Sequence, residues 1–339
     1  MFARIFSNRR RRLLLIALAL FLPTGIWAQT AIVSATTLTT DSADSVHEGF
    51  TFQNTVVAVQ TFSTATQTYA LTGMADQVFI RRTAGGANNS HVWYQTASAA
   101  GNRIAAHADT YQEVLLDNNF ARGVHNLFAN AGSSFANVER VDFISNAGFT
   151  ATADFAIPVF DFGVNPQHES FRIALVTGID GLGNPTSYSS LASTIPFTAT
   201  NLYTHTTFSI QRYNTGDTTT SNYSIFNGPN QGPGGVVFQL SDFGISAGTT
   251  IYGYSLFGYD VNTGGNTNNL VDWTVATYFP TTTPDGEGTA GGFDFSGVNG
   301  LFFSAVPEPS TYALGALVVM VGAIGLRAYS RRKTMRRDA

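Results

Sequence analysis

Apolar and polar positions alternate through much of the chain with the two-residue period of half-buried strands. Phe171, Ile173 and Leu175 alternate with Arg172 and Ala174, and Val236, Phe238 and Leu240 repeat the pattern, as do Phe208 and Ile210. In VDWTVATYF, Val271, Trp273, Val275, Thr277 and Phe279 share one face, which predicts a strand over 271–279. Thr249 to Leu256 (TTIYGYSL) is rich in β-branched and aromatic residues and predicts another. Turn-forming clusters punctuate these runs at Asp180 to Pro185, Asn227 to Asn230 and Thr263 to Asn266. One segment breaks the period. Between Tyr111 and Ala129, the residues Tyr111, Leu115, Val124, Leu127 and Phe128 fall at helical spacing and predict a short helix or two. The pattern describes a mainly β body over 29–305, a β-sandwich or jelly roll. It fits one large sandwich or two, 29–165 and 166–305, with Gly163 to Pro166 as the candidate boundary.

Two apolar runs follow neither period. Leu13 to Leu22 (LLLIALALFL) is preceded by Arg4 and Arg9 to Arg12 and ended by Pro23 and Gly25. Ten apolar residues at about 1.5 Å each do not cross roughly 30 Å of hydrocarbon. The order predicts a signal peptide over 1–28, cut after Ala28 by signal peptidase. The second run, Tyr312 to Leu326, is fifteen residues without a charge. With Tyr329 and the snorkelling stems of Arg327 and Arg331 it predicts a transmembrane helix over 312–329. Arg327, Arg331, Arg332, Lys333, Arg336 and Arg337 make the tail basic, and the positive-inside rule holds that cluster in the cytoplasm. Everything before Val306 is then expected outside the inner membrane. Between body and helix stands Pro307-Glu308-Pro309. Its two prolines impose a stiff, extended backbone that presents one carboxylate beside the membrane.

VPEPSTYALGALVVMVGAIGLRAYSRRK, Val306 to Lys333, resembles the PEP-CTERM sorting signal of Gram-negative bacteria, which combines a Pro-Glu-Pro box, a short transmembrane helix and arginines in that order. The resemblance implies transient anchoring in the inner membrane and processing by exosortase, an integral-membrane cysteine peptidase. Pro307, Glu308 and Pro309 would be the processing motif, and Arg327, Arg331, Arg332 and Lys333 the topology anchor. It implies delivery to the cell surface or an exopolysaccharide matrix and says nothing of catalysis. A second likeness is looser. Arg122 to Asn130, Asn137 to Asp142 and Gly248 to Leu256 are similar to segments of large exported bacterial surface proteins that share no assigned activity.

Charge changes the picture once it is divided. Of eighteen basic and twenty-two acidic residues, five arginines fall in 1–28, and six basic and two acidic residues fall from Val306 on. The body keeps seven arginines, no lysine and twenty acids, a net of −13. An acidic body excludes nucleic acid as an expected partner and suits a solvated surface protein. The chain has no cysteine, so disulfides, thiolate zinc sites and a cysteine nucleophile are excluded. Twenty-seven phenylalanines argue for a packed core rather than disorder.

Candidate chemistry is sparse. Gly244 to Gly248 (GISAG) matches G-x-S-x-G, but a nucleophile elbow needs a helix after the serine, where TTIYGYSL reads as a strand. An ordinary turn explains it better. The six histidines, His47, His91, His107, His125, His168 and His205, show no metal-ligand spacing. His168-Glu169 are neighbours whose side chains diverge in a strand, and convergence of His125 with Glu139 and Asp142 needs the fold to decide it. Asp260, Asn262, Asp285 and Glu287 put oxygen donors in glycine-rich loops suited to calcium, although these residues are equally ordinary turn formers. Trp93, Tyr94 and Tyr252 are candidate sugar-stacking platforms, against the core reading that strand-spaced aromatics usually have. The leading expectation is a non-catalytic structural or adhesive surface protein. The alternatives are a calcium-dependent carbohydrate-binding module and a secreted hydrolase built on paired carboxylates.

Overall fold

The computed structural model describes residues 30–82, 90–96, 102–108, 110–125, 127–128, 138–164, 166–193, 197–202, 205–213, 220–280 and 293–307. The fold is mainly β, as the pattern predicts. One sheet of thirteen strands begins β1 (Thr30–Ala31), β18 (Thr220–Gln239), β17 (His205–Tyr213), β8 (Ser90–Gln95), β9 (Arg122–His125), β20 (Phe295–Ser296). It continues through β11 (Phe155–Val164), β21 (Leu301–Ala305), β6 (Thr68–Met74), β5 (Val56–Ser63) and β2 (Ser34–Thr40). Two short strands, β12 (Gln167–His168) and β16 (Phe197–Thr198), branch from β11. A six-stranded sheet runs β14 (Pro185–Tyr188), β13 (Phe171–Ile179), β19 (Thr250–Gly258), β10 (Val138–Thr150), β7 (Gln77–Arg82), with β15 (Ala192–Ser193) beside β13. A separate hairpin joins β3 (Ser45–His47) to β4 (Phe50–Phe52).

The long strand β18 pairs with β17 through its first part and with β11 through its second, so the large sheet curls toward a half-barrel. The expected turn at Asn227 to Asn230 lies inside β18. Its pairing with β17 steps from Thr207–Asn227 to His205–Gln231, so Gly228-Pro229-Asn230 is absorbed as a bulge where the strand changes partners. The proposed boundary at Gly163 to Pro166 does not separate two bodies. β10, from the first half, pairs with β19 from the second, and β11 pairs with β18. A strand buried by partners distant in sequence cannot be cut out with its half.

The two sheets face each other across one apolar cluster. Ile157, Val159, Val236, Phe238 and Phe302 come from the large sheet, and Val141, Phe143, Ile173, Leu175, Tyr254 and Leu256 from the smaller. Their outer faces are covered too. Ile32, Phe62, Tyr69, Phe120, Phe160 and Phe303 form a second cluster against the large sheet. Ile144, Val176, Tyr188, Phe257, Val261, Leu270 and Phe279 form a third against the small one. Each fully buried large side chain stabilises by about 1.5–3 kcal/mol relative to exposure, which explains how a chain without disulfides sustains this fold.

The third cluster accounts for 271–279. That stretch is not a strand. The Asp272 carboxylate accepts from Thr274 N at 3.1 Å and from Thr274 Oγ1 at 2.6 Å, which bends the chain after one residue. Tyr278 N then donates to Val275 O at 2.9 Å. Val271, Trp273, Tyr278 and Phe279 pack in the cluster on the outer face of the small sheet from successive turns. The expected helix is likewise shorter than its pattern. α1 spans Tyr111–Leu115, opened by Thr110, whose Oγ1 accepts from Glu113 N while Glu113 Oε2 accepts from Thr110 N. Asn119 turns the chain by accepting from Ala121 N at 2.9 Å, and Arg122–His125 leaves as β9. Ala129 lies outside the described residues.

Candidate functional site

The junction with the sorting motif is built by the strand that precedes it. β21 lies between β6 and β11 in the large sheet. Val306 N donates to Thr68 O at 2.8 Å, and Gln67 Nε2 donates to Val306 O at 2.7 Å. The turn that supplies these partners is held by Thr64, whose Oγ1 accepts from Gln67 N at 3.1 Å. Thr64 to Thr68, Val306 and Pro307 line an open cleft of about 410 Å³. Pro307 thus leaves the body at a defined point. Glu308, Pro309, the span 312–329 with Arg327, Arg331, Arg332 and Lys333, and Ala28 lie outside the described residues. Among the described residues no helix is long and apolar enough to cross a membrane.

Of the calcium candidates, Asp285 and Glu287 lie outside the described residues. Asn262 Oδ1 accepts from Gly264 N at 2.9 Å and so closes its own turn. Asp260 is half-buried, with Oδ2 enclosed and lacking a donor. Among the described residues no three acidic or histidine side chains are placed to hold a metal ion. The stacking candidates divide. Trp93 and Tyr94 are buried and belong to the core, so they offer no platform. Trp93 packs edge-on against Phe162 at 3.9 Å, over Gly123, where any Cβ would meet the indole at 2.6 Å. Tyr252 is half-buried. Ser246 of GISAG sits in an exposed turn that leads into β19, with no following helix, which bears out the turn reading. Asp142 lies in the interior of β10, and the His125 side chain lies outside what the structure describes.

Two polar clusters inside the body hold the unusual chemistry. In the first, Arg140 and Asp142 stand two apart on β10 and so share a face. Arg140 Nε lies 2.7 Å from Asp142 Oδ1, and Nη2 donates to Oδ2 at 3.1 Å. Arg81 Nε approaches Oδ2 at 3.3 Å. Ser255 Oγ donates to Oδ1 at 2.6 Å and lies 3.1 Å from Tyr188 Oη. Arg140 Nη1 donates to Leu270 O at 2.6 Å and Val271 O at 2.9 Å, tying the covering loop to the sheet. Burial, with Asp142 alongside, raises the Tyr188 phenol, so it stays neutral. Each charge here has its opposite, and both oxygens of Asp142 accept hydrogen bonds, as burial requires.

The second cluster gathers charges of one sign. Asp161 on β11 is fully buried and points into the shared core. The Glu169 carboxyl lies in hydrogen-bonding reach of it, and Asp294 is near enough to repel both. Glu169 N donates to Asp161 Oδ2 at 3.1 Å, and His168 Nδ1 lies 3.4 Å from the same oxygen. Asp161 Oδ1 and Glu169 Oε2 are enclosed without a donor. A proton on Glu169 supplies what two carboxylates cannot. Burial and then Asp161 push the Glu169 carboxyl far up, to about 11. Burial likewise raises Asp161 and lowers His168, so the imidazole is neutral. The His168 ring stacks on Phe197 with centroids 4.8 Å apart and lies flush against Gly234, where any Cβ would collide with Nε2.

His168-Glu169 was visible as a pair of neighbours, but their partners were not. A signal existed. Asp161 and Asp294 each sit between phenylalanines, in Phe160-Asp161-Phe162 and Phe293-Asp294-Phe295, and Asp161 pairs with Phe295 across the sheet. A lone acid inside an apolar strand must be neutralised by something. Enclosed as it is, the Asp161–Glu169 pair holds a proton in the fold rather than presenting a carboxylate to a substrate. Compared with known proteins, the chain matches no family model, no curated protein and no solved structure.

Proposed function

We propose that the chain is an exported protein of the cell surface or extracellular matrix, released from the inner membrane by an exosortase-type peptidase, with a structural or adhesive β-sandwich body and no catalytic role. The observation that carries this reading is the position of the Pro-Glu-Pro box relative to the fold. β21 ends at Ala305 and the backbone is tied down through Val306, so the box begins where the sheet's hydrogen bonding stops. A cut beside it would remove the apolar run and the basic cluster without opening the core. The enclosed state of Asp142 and Asp161 favours a structural body over a hydrolase, because paired catalytic carboxylates must reach the sugar.

The test is to express the full chain and a variant lacking 307–339, and to follow location and mature mass. Loss of surface retention in the truncated chain, with a native product shorter than the translated chain at both ends, supports the reading. Unchanged retention together with an intact tail on the native product overturns it. Glu308→Ala sharpens the result, since it leaves the helix and the basic cluster in place.

A further inference from the structure

A sheet end exposes unpaired N–H and C=O groups, and proteins blunt such edges with charge, proline, brevity or a covering segment. Three of the four main sheet ends here are blunted. β1 is two residues long. β14 begins with Pro185, and Asn268 Oδ1 accepts from Tyr188 N at 2.8 Å, which places a loop over that edge. β7 lies against α1.

Among the described residues the fourth end has none of these devices, and the one register shift beside it, between Thr36 and Thr37, places the extra residue, Gln60, in β5 and not in β2. β2 is seven residues, SATTLTT, without charge, proline or glycine. Among the described residues it pairs with β5 alone. All its residues but Ala35 are exposed, on both faces of the strand, and Leu38 is 57% exposed. We infer that β2 is a docking edge for a second copy of this chain, joined by antiparallel β2–β2 pairing about a two-fold axis at or next to Thr37.

The strand's own sequence selects that partner and that direction. Antiparallel self-pairing centred on Thr37 sets Leu38 of each copy beside Thr36 of the other, and Thr39 beside Ala35. β-branched and aliphatic cross-strand pairs of this kind stabilise a sheet. It also sets Asp41 next to Val33 of the other copy, so that acidic Asp41 and Asp44 lie at opposite ends of the joint. Parallel pairing would stack Asp41 on Asp41, and like charges directly opposite are destabilising. The interface is isologous and closes at two copies. The inference does not depend on where the chain is delivered.

The absence of cysteine makes the test direct. Thr36→Cys, Thr37→Cys and Leu38→Cys are made singly in the full-length chain, with Leu182→Cys as control at a turn position 76% exposed. Mild oxidation should give a disulfide-linked species of twice the chain mass. It should peak at one of the three positions and stand several-fold above the Leu182→Cys level, because opposed Cβ atoms come within about 4.5–5.5 Å. In sedimentation of the uncrosslinked chain, Leu38→Lys should halve the particle mass. Cross-linking no greater than the control overturns the inference. So does a product of any mass other than twice the chain, or a dimer that survives Leu38→Lys.

Discussion

Asp142 and Asp161 are both fully buried carboxyl groups on central strands of their sheets, and the fold neutralises them in opposite ways. Asp142 meets Arg140 and Arg81, and its remaining lone-pair capacity goes to Ser255 and Tyr188. Asp161 meets Glu169 and Asp294, and His168 beside it is neutral. The first group is stabilised by two guanidinium groups beside it. The second depends on one proton, held because two carboxylates in close contact cannot both ionise in a low dielectric. Burial forbids an isolated charge but leaves the means of removing it open, and the means determines which conditions the structure tolerates.

Four variants break or sharpen that contrast. The largest effect is expected from Arg140→Met, which leaves Asp142 enclosed with half its compensation gone and frees two carbonyls of the covering loop. Denaturant unfolding should show a loss of about 3–5 kcal/mol. Next comes the pH response of the Asp161–Glu169 pair. The unfolded Glu169 titrates near 4.5 and the folded one near 11, so between these limits the folded form holds the extra proton. This contribution is complete below pH 4.5 and is lost as pH rises, with a slope of at most about 1.4 kcal/mol per pH unit. Glu169→Gln, whose amide donates to Asp161 without needing a proton, should flatten the decline between pH 6 and pH 9 (about the accessible range for thermal unfolding). A slope that is unchanged, or one that rises with pH in the native chain, would exclude the shared proton.

Gly234→Ala tests the same cluster through packing. The new methyl collides with the Nε2 edge of the His168 ring, which is stacked on Phe197, and about 1–3 kcal/mol should be lost. The alkaline decline should persist, because the carboxyl pair remains. The smallest effect belongs to Ser255→Ala, at about 1 kcal/mol with no pH dependence, since both arginines still meet Asp142. Equal pH responses in these two variants would erase the distinction between the clusters.

Much of the architecture is legible from residue order. The strands over 171–175, 236–239 and 250–256 follow their alternation, and the turns at 180–185 and 263–266 follow their Gly and Asn content. The misreadings have a common cause. Val271 to Phe279 has strand periodicity because its apolar residues must face a sheet, and an Asx turn at Asp272 meets that need without a strand. Asn227 to Asn230 has turn composition but is held extended by a neighbour on the large sheet. Trp93 and Tyr94 are as suited to stacking as to packing, and burial alone decided between them.

By itself the sequence determined the β character of the body, its independence of disulfides and its negative charge, because these depend on local period and composition. Tertiary structure alone decided that Asp161 meets Glu169, that Asp142 meets Arg81, and that β2 is left at an open edge. Those are contacts between residues far apart in the chain, or the lack of one. They arise from which strands become neighbours, and no local pattern carries that information.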